Sequence, residues 1–237
     1  EELLSIVPKD RKKSYEMRDI IRYIFDEASF FEMTKFFGRG IITGFARING
    51  YSVGILANDS NFYAGSMSAD GAKKTARFVR TCDTFNIPIV SLVDEPGFLI
   101  GPEAESQATI LYGTEAVLAV TESTVPWSTV MIRKSFGVAA AAHYGPDGYV
   151  LAWPSAESGP LPLEGGVAVA FKKEIESAKD PEAKRKEIEQ KMSKNQNPFP
   201  RAESFSVHEI IDPRKTRFYL SNWADRIQPQ MKAKLFK

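Results

Sequence analysis

Thiol and imidazole groups are scarce in this chain, which has one cysteine and two histidines in 237 residues. The single cysteine, Cys82, permits no internal disulfide, which points to a reducing compartment: the cytoplasm or, in a eukaryote, the mitochondrial matrix. Cys82 falls inside a helical pattern, where a packed core thiol is a commoner role than a nucleophile. His143 and His208 are too few for a multi-histidine metal site. Neither sign of charge dominates, and a net charge of +1 argues against a nucleic-acid or bulk-membrane surface. No apolar run reaches the ~18 residues of a membrane-spanning helix. Glu1–Pro8 has neither a basic region nor a cleavage site, so no secretory signal is expected there. Also missing are a Gly-x-Gly-x-x-Gly after a strand, a Gly-x-x-x-x-Gly-Lys-Ser/Thr loop and a Gly-x-Ser-x-Gly elbow. The dinucleotide-binding, kinase and serine-hydrolase readings thereby lose their main support.

What is present is an ordinary globular composition, 43% hydrophobic and 26% charged, enough for one large domain or two small ones. Met17 to Phe31 reads as a helix, with Ile20, Ile21, Ile24 and Phe25 at helical spacing. Ile41–Ile48 and Tyr51–Ala57 read as strands joined by the hairpin signal Asn49-Gly50. Asp70 is an expected N-cap for a helix running to Phe85, and Ile89–Val93 reads as a buried strand entered through Pro88. A long helical pattern covers about Ala104 to Glu122, Ser128–Arg133 is a strand, and Gly137 to His143 starts a short alanine-rich helix. Tyr149–Trp153 is a further strand. Val167 to Met192 reads as a helix divided at Asp180-Pro181, strongly charged after Lys172, whose charges suit a solvated excursion. A last helix is expected from about Pro213. Strands alternating with helices give an α/β fold.

Two stretches could carry chemistry. Ile87–Gly101 and Arg133–Ala142 are both apolar β-branched runs that stop at small, sharply turning residues and give way to helix, about forty residues apart. Strand, turn and helix start is the arrangement that aims backbone N–H groups at a ligand oxygen. Gly137 can adopt a backbone conformation barred to other residues, and the alanines after it let a ligand approach the main chain. The N–H groups of Val138 and Ala139 would be first-turn donors without helical partners. In the other stretch Pro96-Gly97 forces a turn, and Phe98 and Leu99 can cover an apolar ligand face. Asp94 and Glu95 suit either acid–base work or turn and cap hydrogen bonds. Glu164-Gly165-Gly166 opens the next helix and serves either the same pocket or a tight packing contact.

The segments Tyr15-Glu-Met-Arg-Asp-Ile-Ile, Ile42-Thr-Gly-Phe-Ala-Arg-Ile-Asn-Gly, Ala76-Arg-Phe-Val-Arg-Thr-Cys-Asp-Thr-Phe-Asn-Ile-Pro and Asp94-Glu-Pro-Gly-Phe-Leu-Ile-Gly resemble the carboxyltransferase β-subunit of biotin-dependent acyl-CoA carboxylases, of the propionyl-CoA and methylcrotonyl-CoA type. Arg133-Lys-Ser-Phe-Gly and Leu151-Ala-Trp-Pro154 extend the resemblance over nearly the whole chain, and to the C-terminal half of that subunit only. It implies a crotonase-like (ClpP/crotonase) ββα superhelix. Residues 1–237 would form one carboxyltransferase C-terminal domain, with a charged helical excursion at about 172–192 and a C-terminal helix.

The resemblance also implies a role for each residue. Gly137, Val138 and Ala139 would form the oxyanion hole that holds the ureido oxygen of biotin, while the carboxyl group passes to an acyl-CoA. Pro96, Gly97, Phe98, Leu99, Ala141, Gly165 and Gly166 would line the pocket. Biotin would arrive on a carrier protein or domain, and no metal is implied. Implied partners are that carrier, a biotin carboxylase subunit, an N-terminal carboxyltransferase domain, an acyl-CoA and further copies of the chain. Three positions depart from the family. Val138 replaces a usual glycine and narrows the pocket while keeping a backbone donor. Ala141 stands where aspartate is common and acyl selectivity is set, which implies an acyl group other than propionyl. Pro160 and Pro162 remove two backbone donors where relatives are rich in methionine and glycine. Other readings of the same resemblance are a biotin-dependent decarboxylase subunit and a non-catalytic assembly subunit. A stand-alone crotonase-type hydratase or hydrolase would need a pair of Glu or Asp residues beside the hole, and Glu164 is the one nearby candidate.

Overall fold

The computed structural model of the chain describes residues 1–193 and 196–235. The first helix, α1 (Met17–Ile24), ends well short of Phe31. Ala28 turns left-handed (φ 52°), and Asp26 accepts the amides of Asn49 at 3.1 Å and Gly50 at 2.8 Å. Phe31 therefore opens a strand, β1 (Phe31–Met33), rather than closing a helix. The hairpin β2 (Ile41–Ile48) and β3 (Tyr51–Asn58) forms as its Asn49-Gly50 turn predicts, both turn residues having positive φ. Helix α2 (Ala69–Thr84) is capped by Ser68, whose hydroxyl accepts the Gly71 amide at 3.1 Å, and not by Asp70. Asp70 falls one position inside the first turn, where its charge still suits the helix dipole. Strand β4 (Ile89–Glu95) follows, then two helices where one was expected: α3 (Pro102–Ser106) and α4 (Thr109–Thr121). Ala108, left-handed at φ 58°, breaks the run, and Thr109 ties the pieces by donating its hydroxyl to the Ala104 carbonyl at 2.8 Å.

Strand β5 (Trp127–Phe136) leads into α5 (Gly137–Ala140), which tightens into a 3-10 turn over Ala141–His143. Then come β6 (Tyr149–Ala152), β7 (Glu157–Gly159), α6 (Leu163–Ala170), α7 (Lys172–Glu176), α8 (Pro181–Ser193), α9 (Phe199–Glu203), β8 (Glu209–Ile210) and α10 (Thr216–Leu235), the last entered by a 3-10 turn at Pro213–Lys215. Asp180 caps α8 by accepting the Ala183 amide at 3.0 Å. Among the described residues the strands form one sheet in the order β1-β2-β3-β4-β5-β6-β8, with β7 also on β5. The β1–β2–β3 end is antiparallel and the rest parallel. No described helix is long and apolar enough to cross a membrane.

Period-two alternation divides the core between the sheet's faces. Val53, Ile55 and Ala57 of β3 meet Ile20, Ile21 and Ile24 of α1 and Leu220, Trp223 and Ala224 of α10 on one side. Leu56 and Ile89 meet Phe78, Val79 and Cys82 of α2 and Ala116 and Val120 of α4 on the other. Cys82 is buried, and desolvation pushes its thiol up to about 12, as befits a core residue. The charged excursion docks through one apolar stripe, Ile188 with Leu163 and Val167. Its outer face carries pairs such as Arg185–Glu189 at 2.8 Å. Lys74 of α2 is buried and donates to the carbonyls of Ile41 (2.6 Å) and Phe37 (3.0 Å), fastening the 34–41 loop.

A Cβ on Gly54 would come 2.7 Å from the Cys82 sulfur. Gly54→Ala is expected to destabilise the chain by about 1–3 kcal/mol through overpacking, with Cys82→Ala recovering part of the loss, measured by urea unfolding. Burial lowers the Lys74 ammonium from 10.5 to about 8. Between those values the unfolded chain holds a proton that the folded one has released, so this site's contribution to stability rises with pH. The stability of wild type relative to Lys74→Met should therefore increase between about pH 8 and about pH 9.5. An unchanged difference contradicts the assignment.

Candidate active site

Strands β4 and β5 lie side by side and parallel, so their C-terminal ends deliver two loops to one edge of the sheet, the edge where α/β folds open their crevices. Both strands are buried along their whole length. A register shift between Val93 and Glu95 brings Glu95 opposite Ser135. The Pro96-Gly97 turn follows the first strand, with Gly97 at φ 134°, and Gly137 follows the second at φ 63°.

Gly137 reverses the extended backbone of Phe136 (φ −121°, ψ 141°) into α5. Its positive φ and the Pro160 carbonyl, 3.3 Å from where a Cβ would stand, both favour glycine. The amides of Val138 and Ala139 open this helix and have no acceptor among the described residues. Ala139 and Ala140 turn their methyl groups into the core, Val138 is 69% exposed, and Gly137 and Ala141 are open beside it. The result is a helix start with two unused donors, one on the exposed Val138 and one on the buried Ala139 directly behind it.

Beneath this helix start lies a buried polar layer. Asp94 is fully buried and pairs with Arg133 of the neighbouring strand, 2.8 Å from Nη2, while also accepting the Lys134 amide at 3.0 Å. Arg133 in turn donates to the Lys13 carbonyl at 2.8 Å and lies 4.7 Å from the Tyr15 ring centre. Glu95, equally buried, accepts the Gly97 amide at 2.9 Å, the Asn58 amide group at 2.9 Å and the Met67 amide at 3.3 Å. His143 Nε2 stands 3.5 Å from Glu95 Oε2, and its Nδ1 meets the Ser91 hydroxyl at 2.9 Å. Burial pushes the Glu95 carboxyl up, against the pull of the His143 ring and the amide donors. Both acids are thus spent on turns and strand ends.

The other predicted residues are distributed around this edge. Pro96, Gly97, Phe98 and Leu99 are half-buried on the turn, which a bridge between Phe98 and Met67 holds down. The Phe98 ring lies over Gly113 of α4. Leu99 borders a cavity of about 240 Å3 with Ile100, Ile110 and Leu111, which no residue of α5 lines. Gly165 and Gly166 lie in the first turn of α6. Gly166 is pressed against Leu161, the packing role of the two open from sequence. Gly137 and Gly166 both border the Gly159–Leu163 loop, one through Pro160 and the other through Leu161. Among the described residues no three His, Cys, Asp or Glu side chains gather as a metal site. Sequence reading missed Asn58 and Ser91, and used His143 only in a count. A serine inside the apolar run Ile89-Val-Ser-Leu-Val93 was the one available signal.

Comparison with known proteins adds the following. The family profile described as "Carboxyl transferase domain" matches residues 1–234. The chain is 40% identical over 222 residues to the carboxyltransferase subunit of propionyl-CoA carboxylase of Haloferax mediterranei, covering 92% of this chain and 43% of that one. It is 39% identical over 221 residues to the alpha subunit of methylmalonyl-CoA decarboxylase of Propionigenium modestum, covering 91% and 43%. A solved structure of transcarboxylase 12S, a hexamer with methylmalonyl-coenzyme A and methylmalonic acid bound, superimposes with a TM-score of 0.87 at 40% identity, covering 95% of this chain and 44% of that one. The chain therefore spans less than half the length of the relatives it matches, and its crotonase-like α/β fold is theirs.

Asp94→Asn keeps an acceptor for the Lys134 amide but removes the carboxylate paired with the buried Arg133 charge. The expected cost is about 3–5 kcal/mol in chemical denaturation, and a loss below about 1 kcal/mol contradicts the pairing as described.

Proposed function

This chain belongs to the carboxyl transferase domain family, and on that premise we propose that it supplies the biotin-facing, C-terminal half of a biotin-dependent acyl-CoA carboxyltransferase. The observation that carries the reading is the pair of unpartnered amides at Val138 and Ala139 after β5, the first on an exposed residue and the second just beneath it on a buried one. A ureido oxygen is a neutral acceptor that gains negative charge when its carboxyl group departs, and two aimed N–H groups suit it better than any charged side chain. The donor set fits the group: main chain only, with small side chains in front and the acids locked away beneath. Biotin, brought by a carrier, supplies the transferable carboxyl and then a basic nitrogen.

The chain's own residues bind and orient. Val138 and Ala139 N–H hold the oxygen, and Gly137 sets their direction. Val138 and Ala141, both exposed and three residues apart on one face of the helical turn, shape the entrance. Pro96, Gly97 and Phe98 form the facing wall, and Gly165 and Gly166 back the loop that closes against Gly137. Residues 1–237 act as one such domain, and an N-terminal carboxyltransferase domain holds the acyl-CoA. Carrier, biotin carboxylase subunit and further copies of the chain complete the assembly, consistent with the hexamer of transcarboxylase 12S.

A decarboxylase reading is supported by the 39% identity to a methylmalonyl-CoA decarboxylase subunit, nearly equal to the 40% to a carboxylase. The same amides serve transfer in either direction, and the coupled partner fixes which way it runs.

Ala139→Pro removes one of the two donors. Turnover in the assembled enzyme should fall about 100-fold, with the KM for acyl-CoA little changed, and wild-type turnover in a folded variant contradicts the assigned hole.

A further inference from the structure

Helix α5 and its 3-10 extension have little with which to hold their own orientation. From Gly137 to His143 the buried side chains are the methyl groups of Ala139, Ala140 and Ala142 and one large group, the His143 ring, which is fully buried. Apolar contact alone leaves such a helix few constraints on its rotation. Its direction nevertheless decides where the Val138 and Ala139 amides point.

His143 is anchored from below by both central strands. Ser91 of β4 meets its Nδ1 at 2.9 Å, and Thr129 of β5 donates to its carbonyl at 2.8 Å. The other nitrogen, Nε2, is buried and makes no hydrogen bond among the described residues, standing 3.5 Å from Glu95 Oε2. Glu95 is the last residue of β4 and is itself held by three segments, through Asn58, Met67 and Gly97. Each partner is thus fixed from its far side, so the pair spans the space between the turn after β4 and the helix after β5. Two fully buried ionisable groups facing each other are an expensive way to fill a core that leucines would fill as well.

Building on the oxyanion reading above, we propose that Glu95 and His143 are positioning residues: a buried carboxyl–imidazole pair that sets the distance between the Pro96-Gly97 turn and α5, and with it the aim of the Val138 and Ala139 amides. Neither group reaches the surface, so both act through the backbone they hold.

Three variants test this in the enzyme assembled with its acyl-CoA-binding half, with free biotin and methylmalonyl-CoA as probes. Glu95→Gln keeps an acceptor for Gly97 and removes the carboxyl group. His143→Gln removes the ring. Glu95→Leu/His143→Leu replaces the pair by apolar groups that can fill the space. Each should lower kcat about 30-fold and raise the KM for biotin, while the KM for acyl-CoA stays within about twofold. The double variant leaves the Gly97 amide and one Asn58 N–H without an acceptor, so it should unfold earlier than Glu95→Gln, and it should not regain turnover.

Because the chain has two histidines, imidazole nitrogen NMR reads the pair without relying on activity. Glu95→Gln should move the His143 signals and leave those of the exposed His208 in place. Wild-type kcat in the double variant, equal losses in both KM values, or unmoved His143 signals would overturn the proposal. If Ala139→Pro abolishes turnover while these variants do not, the positioning role alone fails. If Ala139→Pro is silent, the oxyanion reading fails and takes this one with it.

Discussion

Asp94 ties the ends of two parallel strands together, and the site stands on that tie. Its carboxylate bonds both the Arg133 guanidinium and the Lys134 backbone of the next strand, in a place fully closed to water. An ion pair so deep adds little net stability over an apolar filling, since desolvation offsets most of the attraction. It does fix geometry: a bidentate fork and a strand amide on one carboxylate allow one register. With that register set, Glu95 falls opposite Ser135, and the Pro96-Gly97 and Gly137 turns leave the sheet side by side.

Charge is kept out of the helix start and concentrated below it. Asp94, Arg133, Glu95 and His143 are all buried, whereas Gly137, Val138 and Ala141 meet solvent. A site of that kind offers fixed dipoles and no competing acid or base. It suits a reaction in which an oxygen gains charge and a reactive carboxyl must not be hydrolysed. The scarcity of histidine and cysteine follows, because the proposed chemistry asks the main chain for donors and the carrier for the reactive group.

Much of this was legible in the residues. Asn49-Gly50 located the hairpin, the apolar run from Ile89 located β4, and Gly137 before a row of alanines located the helix that carries the donors. The helix after Met17 read too long because Phe30 and Phe31 continue its apolar spacing, while the turn that ends it depends on Asp26 bonding a hairpin distant in sequence. The break at Ala108 has no glycine or proline to announce it. β1, β7 and β8 run two or three residues each, too short to show any period. The polar layer was the least legible part. Asn58 comes from β3, Ser91 and Glu95 from β4 and His143 from the 3-10 turn after α5, and only the sheet brings them together.

The central claim is that the amides of Val138 and Ala139 hold the ureido oxygen of biotin. A structure of the assembled enzyme with free biotin tests it most directly. The account predicts that oxygen within roughly 3 Å of both amide nitrogens, with the ring between α5 and the Pro96-Gly97 turn. Biotin seated there with its ureido oxygen turned away from both amides would contradict it.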